Sequence, residues 1–131
     1  MTPPYGIDTS VLMRLLSEQP EDLYLYCRSQ LLTLAEQGAE VVASNQVIGE
    51  AYVALQHSYG VDKNAARIAL YRTLRSGLVS PQNGASILEA LQIADGAGLV
   101  DRLIAEDYAR DGLETLTLDQ RMTALSGTRR I

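Results

Sequence analysis

Short apolar runs that alternate with longer amphipathic stretches constrain this chain more than any other feature. Tyr5-Gly6-Ile7, Glu40-Val41-Val42-Ala43, Leu78-Val79-Ser80 and Thr115-Leu116-Thr117-Leu118 are too short for helices, and their β-branched or apolar character reads as strand. Between them, apolar residues recur at helical spacing. A chain written strand–helix–strand buries its apolar faces by packing helices on a mostly parallel sheet. The expected fold is α/β: a three-layer sandwich with a short, mostly parallel sheet flanked by helices, in a single domain over residues 1–131.

Local signals place the helices. Thr9 to Ser17 carries Val11, Leu12, Leu15 and Leu16 on one side, with Asp8 or Thr9 as its cap. Pro20-Glu21-Asp22 opens a second helix, since proline fits a first turn and acids there favour the helix dipole. Leu23, Cys27, Leu31, Leu34 and Ala35 form its expected buried stripe, and Gly38 ends it. Ser44 caps a third helix running to Tyr59. Asp62 caps a fourth, with Ala66, Ala69, Leu70 and Leu74 inward and a stop at Gly77. Ile87, Leu88, Leu91 and Ala94 mark a fifth helix, and Val100 to Arg110 form a sixth. Gln120 to Leu125 reads as a last short helix and residues 127–131 as an edge strand.

Composition narrows the functional classes. Hydrophobic residues make up 47% of the chain, enough for a real core. Cys27 and His57 are the single cysteine and histidine, which excludes an internal disulfide and a structural zinc site. No apolar run approaches the roughly 20 residues needed to span a bilayer. The first residues also lack a basic start and an apolar core, so a cytoplasmic protein without a membrane role is expected. The net charge of −5, with ten Arg and one Lys, opposes non-specific binding to nucleic acid. Bound cations would reverse that sign locally.

Four isolated acids carry the chemistry. Asp8 and Asp119 directly follow predicted strands, and ligands gather at the carboxyl ends of parallel strands. Glu50 lies about two turns into the helix after the second strand, and Asp101 opens the sixth helix. Gathered in one cleft, these carboxylates call for a divalent cation with a preference for hard oxygen ligands. Without it, crowding would make some of them bind protons at raised pH. Each also has a plainer role: helix capping for Asp8, Asp101 and Asp119, and a solvated surface position for Glu50. His57, the tyrosines and an Arg67/Arg72/Arg75 helix face read as packing or solvated surface rather than as catalytic or RNA-binding groups, with Tyr24, Tyr26 and Tyr52 packing on helix faces. Arg129-Arg130 is too short for a binding patch.

These segments, in this order, resemble the PIN domain family of ribonucleases, which includes the VapC-type toxins of bacterial toxin–antitoxin pairs. Ile7-Asp8-Thr9-Ser10-Val11-Leu12 is similar to the family's opening Asp-Thr-Asn-Val-Leu element, and Val47-Ile48-Gly49-Glu50-Ala51-Tyr52 to the helix bearing its second acid. Val100-Asp101-Arg102-Leu103-Ile104-Ala105 resembles its Asp-Ala-Leu-Ile-Ala segment, and Leu116-Thr117-Leu118-Asp119-Gln120-Arg121 its Thr-Phe-Asp-Arg segment. The chain departs from the pattern at three positions. Ser10 replaces an Asn, Gly98 stands where many relatives carry a further Asp, and Arg102 replaces a small residue beside Asp101.

The resemblance implies a metal-dependent endoribonuclease that hydrolyses RNA phosphodiester bonds, with Mg²⁺ or Mn²⁺ held by Asp8, Glu50, Asp101 and Asp119. Thr9, Ser10 and Thr117 would orient those ligands or a water, and Arg102 is a possible contact to phosphate. It further implies a homodimer, a small antitoxin partner and RNA as substrate, with the Leu- and Tyr-rich helices between Pro20 and Gly77 as the contact surface. Gly98 and Arg102 also suit an alternative, a catalytically weak or inactive PIN-like binding or scaffold protein. A phosphatase using Asp8 as nucleophile is disfavoured, because Ser10 stands where a second Asp is wanted and the single lysine, Lys63, lies mid-chain.

Overall fold

Capping side chains set where the helices begin. In a computed structural model, which describes residues 4–131, Asp8 Oδ1 accepts from the Val11 N–H (3.2 Å) and starts α1, Thr9–Ser17. Ser44 Oγ accepts from the Val47 N–H (3.2 Å) at the head of α3, Asn45–Tyr59. Asp62 Oδ1 accepts from the Ala65 N–H (2.9 Å) before α4, Lys63–Leu74. Each satisfies a donor that the first helical turn leaves without an intrahelical partner. α2, Glu21–Glu36, begins after Pro20 with two acids in its first turn. α5 is Ala85–Leu91, and α6 is Leu99–Arg110.

The described residues form a mixed α/β fold with six α-helices and short parallel sheets. Strands β1 (Tyr5–Ile7), β2 (Val41–Ala43) and β3 (Ser80–Pro81) form one sheet in that order. Both pairings are parallel, with Tyr5 opposite Val41 and Val42 opposite Ser80. β4 (Thr115–Thr117) and β5 (Thr128–Arg130) form a second, two-stranded parallel sheet. Hydrogen bonding thus joins the strands into two sheets where the sequence predicts one. The contacts divide the chain into two compact units, one ending at Gln92 and the other beginning at Ile93.

In the first unit, Leu12, Ile48, Leu70 and Ile87 have at most 1% of their surface exposed and form the centre of the core. They come from α1, α3, α4 and α5, whose inward residues recur at the spacing of one helix face. In the second unit α6 packs on β4, burying Leu99, Leu103 and Ala105 along with Thr115, Thr117 and Met122.

Four expectations need correction. Leu23 was expected in the buried stripe of α2 but is 45% exposed, and Leu31 is the buried residue of that helix. α2 packs against α1 and β2, so periodicity alone overstates how much of its face is covered. Tyr26, expected to pack on a helix face, is exposed for the same reason. The third strand starts at Ser80 rather than Leu78, because Gly77 (φ 91°) turns the chain and the Ser76 hydroxyl ties down the Leu78 N–H. Pro81, which has no N–H to donate, is accommodated because β3 is an edge strand. The expected last helix is a single 3-10 turn, Met122–Ala124. No helix among the described residues is long and apolar enough to cross a membrane.

Candidate functional site

The first unit brings two of the four acids to neighbouring positions. Asp8 ends β1 and caps α1, and Glu50 projects from the second turn of α3. Thr9, the first residue of α1, joins them: its Oγ1 donates to Glu50 Oε2 (3.2 Å) across 41 residues of sequence. Gln46 donates to Glu50 Oε1 (3.4 Å) from one turn earlier on α3. Gln46 was missed in the sequence, although it stands four residues before Glu50, where side chains meet on a helix surface.

Asp8 is exposed and surrounded by donors. The Ser10 hydroxyl donates to Asp8 Oδ1 at 2.5 Å, and the Val11 N–H reaches the same oxygen. The Ser10 hydroxyl, followed by the Val11 N–H, holds the Asp8 carboxyl below the usual carboxylate range, while a lesser loss of hydration works the other way. The bonded neighbours of Asp8 are donors rather than anions.

The direction fixes a pH dependence. A carboxyl whose folded pKa lies below its unfolded value of about 3.9 stabilises the fold above that pH. The contribution disappears as the pH falls through the lower folded value. Ser10→Ala is expected to raise the Asp8 titration midpoint toward the ordinary value, followed by carboxyl-carbon NMR. An unmoved midpoint would show that Ser10 does not set the charge at this position.

An open cleft of about 410 Å³ lies against the same sheet, lined by Pro4 to Ile7 and by Glu40, Val42, Ser44 and Gln82. The cleft runs along the length of β1, from Pro4 to Ile7, and neither Asp8 nor Glu50 lines it. A second cleft of about 440 Å³ is lined by residues 38–41, 74–75 and 77–80, away from both acids.

Asp101 and Asp119 belong to the second unit. Asp101 is half-buried in the first turn of α6, where a negative charge favours the helix dipole. Asp119 closes the turn after β4, with Oδ1 accepting from the Arg121 N–H (2.8 Å). Thr117 serves that turn, its hydroxyl accepting from the Asp119 N–H (2.9 Å) and donating to Met122 Sδ (3.5 Å). Among the described residues, no group of three or more His, Cys, Asp or Glu side chains comes together as a set able to hold an ion. The grouping of all four acids rests on the resemblance alone.

No family model, curated protein or solved structure matches the chain.

The residues that depart from the PIN pattern have visible work. Gly98 caps α6 without a side-chain hydrogen bond. The Arg102 guanidinium, expected as a possible phosphate contact, instead donates to the carbonyls of Ala97 (3.0 Å) and Asp95 (3.0 Å). Nor do Arg67, Arg72 and Arg75 form a common basic face. Arg67 is buried and bonded to Asn64, and Arg75 stacks 5.1 Å over the Tyr71 ring while donating to its hydroxyl. His57 is exposed in the last turn of α3.

The donor chemistry fits a hard cation. Mg²⁺ commonly binds one or two carboxylates and keeps several waters. Asp8 and Glu50 offer carboxylates whose orientation is held by Ser10, Thr9 and Gln46.

Proposed function

We propose that this chain is a Mg²⁺- or Mn²⁺-dependent endoribonuclease of the PIN type, acting as the toxin of an antitoxin-paired system. The observation that carries the reading is that Thr9, the residue after Asp8, bonds Glu50 at the carboxyl end of a strand in a parallel sheet. In this reading Asp8 and Glu50 hold the cation, and Asp101 and Asp119 enter as ligands through the resemblance alone. A bound ion supplies polarisation of the scissile phosphate and activation of a water. Ser10 and Val11 keep Asp8 ionised, and Thr9 and Gln46 hold Glu50 in place for that task.

The proposal includes a PIN-like three-layer sandwich as the finer description of the fold, cytoplasmic location and RNA as substrate. It also includes a homodimer and a small antitoxin partner. Exposed Leu23, Leu25 and Tyr26 on α2 support a protein contact on that helix.

Metal linkage offers a direct test. A ligand that binds the folded chain alone stabilises it by about 2.7 kcal/mol when present at a hundred times its Kd. Millimolar Mn²⁺ is therefore expected to raise the melting temperature, with Asp8→Asn abolishing most of the rise. A melting curve indifferent to Mg²⁺ and Mn²⁺ would count against the metal site. The scaffold alternative draws on Gly98 and on the commitment of Arg102 to its own loop; it is separated from catalysis by the Asp8 variant described below.

A further inference from the structure

We infer that α2 docks on α2 of a second copy of this chain, the two helices running antiparallel and crossing beside Leu25. The inference rests on the homodimer proposed above and adds its surface and direction; it is independent of the metal site. Between Glu21 and Gln30 no residue of α2 is buried, and only Tyr24 and Cys27 are half-buried. That same stretch carries the apolar run Leu23-Tyr24-Leu25-Tyr26-Cys27. Leu25 and Tyr26 each have more than half of their surface exposed. A contiguous apolar surface of this kind marks a contact with another molecule, whereas singly scattered apolar residues need no partner. Tyrosine suits such a contact, since its ring is apolar and its hydroxyl stays wet.

The charges around the run are complementary to themselves. Glu21 and Asp22 stand before it, in the first turn of the helix, and Arg28 stands after it. Glu21 and Arg28 are exposed and lie two helical turns apart on one side of α2. Among the described residues, neither forms an ion pair within the chain. In an antiparallel pair crossing beside Leu25, each copy's Glu21 comes level with the other copy's Arg28, and the Leu25 side chains meet between them. The helix dipoles then oppose each other as well. A parallel pair would set acid on acid and arginine on arginine. The antiparallel contact presents the same patch from both copies, so it closes as a two-fold dimer.

The test compares the full chain with Leu25→Gln, Glu21→Arg, Arg28→Glu and the double variant Glu21→Arg/Arg28→Glu. Sedimentation equilibrium from micromolar to submillimolar concentration reads the dimer affinity at low salt, and circular dichroism checks that each variant is folded. All the changed positions are exposed, so the monomer keeps its core. A contact of one helix from each copy lies at the small end of specific interfaces, so the pair is expected to come apart on dilution. Dilute samples therefore report the folding of the monomer alone.

Leu25→Gln is expected to weaken the dimer about tenfold or more, because the two-fold removes the central leucine from both copies. Glu21→Arg and Arg28→Glu each bring like charges together at two symmetric places, and each is expected to weaken it about tenfold. The double variant sets opposite charges together again and should recover the wild-type affinity. A dimer that ignores Leu25→Gln and both charge reversals overturns the placement on α2 while leaving the homodimer standing. Reversals that weaken the dimer with no recovery in the double variant overturn the antiparallel direction. A wild-type chain that stays monomeric throughout overturns the homodimer and this inference with it, leaving α2 to a different protein.

Discussion

Asp8→Asn is expected to remove metal-dependent RNA cleavage while leaving the fold in place. The two effects separate because Asp8 has two jobs. As a cap, it accepts the Val11 N–H through Oδ1 and also takes the Ser10 hydroxyl bond. An amide oxygen accepts both, and asparagine caps helices about as well as aspartate. The change in stability should therefore stay within about 1 kcal/mol. As a proposed ligand, Asp8 contributes a negative charge that an amide lacks. Losing it should cost more than the roughly 10- to 100-fold that follows from losing an outer-sphere partner. Cleavage of a labelled RNA in Mn²⁺, with matched preparations and an EDTA control, measures it. Equal cleavage by the two proteins would mark a contaminating nuclease. RNA binding without cleavage by either would favour the scaffold alternative.

Leu12→Ala should give the largest loss of stability. Leu12 is fully buried on α1, and that helix packs against α2, α3 and α4. Truncating a leucine in such a place removes its transfer free energy and leaves a cavity that three packed helices can only partly close. The expected cost is about 3 kcal/mol, within the 2–5 kcal/mol usual for such changes. Leu25→Ala on α2 is the matched control, because Leu25 is 51% exposed and its loss should cost no more than about 0.5 kcal/mol. Urea denaturation followed by circular dichroism compares them, with the midpoint of Leu12→Ala falling at a similar slope. Equal midpoints for the two variants would refute the assignment of Leu12 to the core centre.

Much of the element order was legible because its causes are local. Ser44 and Asp62 cap α3 and α4 as expected, and β1, α1 and β4 lie where apolar spacing and turn residues place them. The candidate site was legible in part. Asp8 at the end of β1 and Glu50 two turns into α3 follow from strand and helix positions. The plainer reading of Asp119, a cap on the last helix, gives way to a turn in which its side chain accepts from the Arg121 N–H. The bonding of Arg102 to its own loop was not readable, because it depends on the path of residues 95–97.

By itself, then, the sequence determined where strands and helices begin and which acids stand at their ends. Capping bonds and apolar periodicity act over a few residues, so the local chain suffices to specify them. Only the tertiary structure decided that Thr9 would bond Glu50 across 41 residues, that most of α2 would stay uncovered, and that Arg102 would turn back onto its loop. The first two depend on which elements pack together, and the third on how one loop closes over a helix start. Neither is written in any short window of residues.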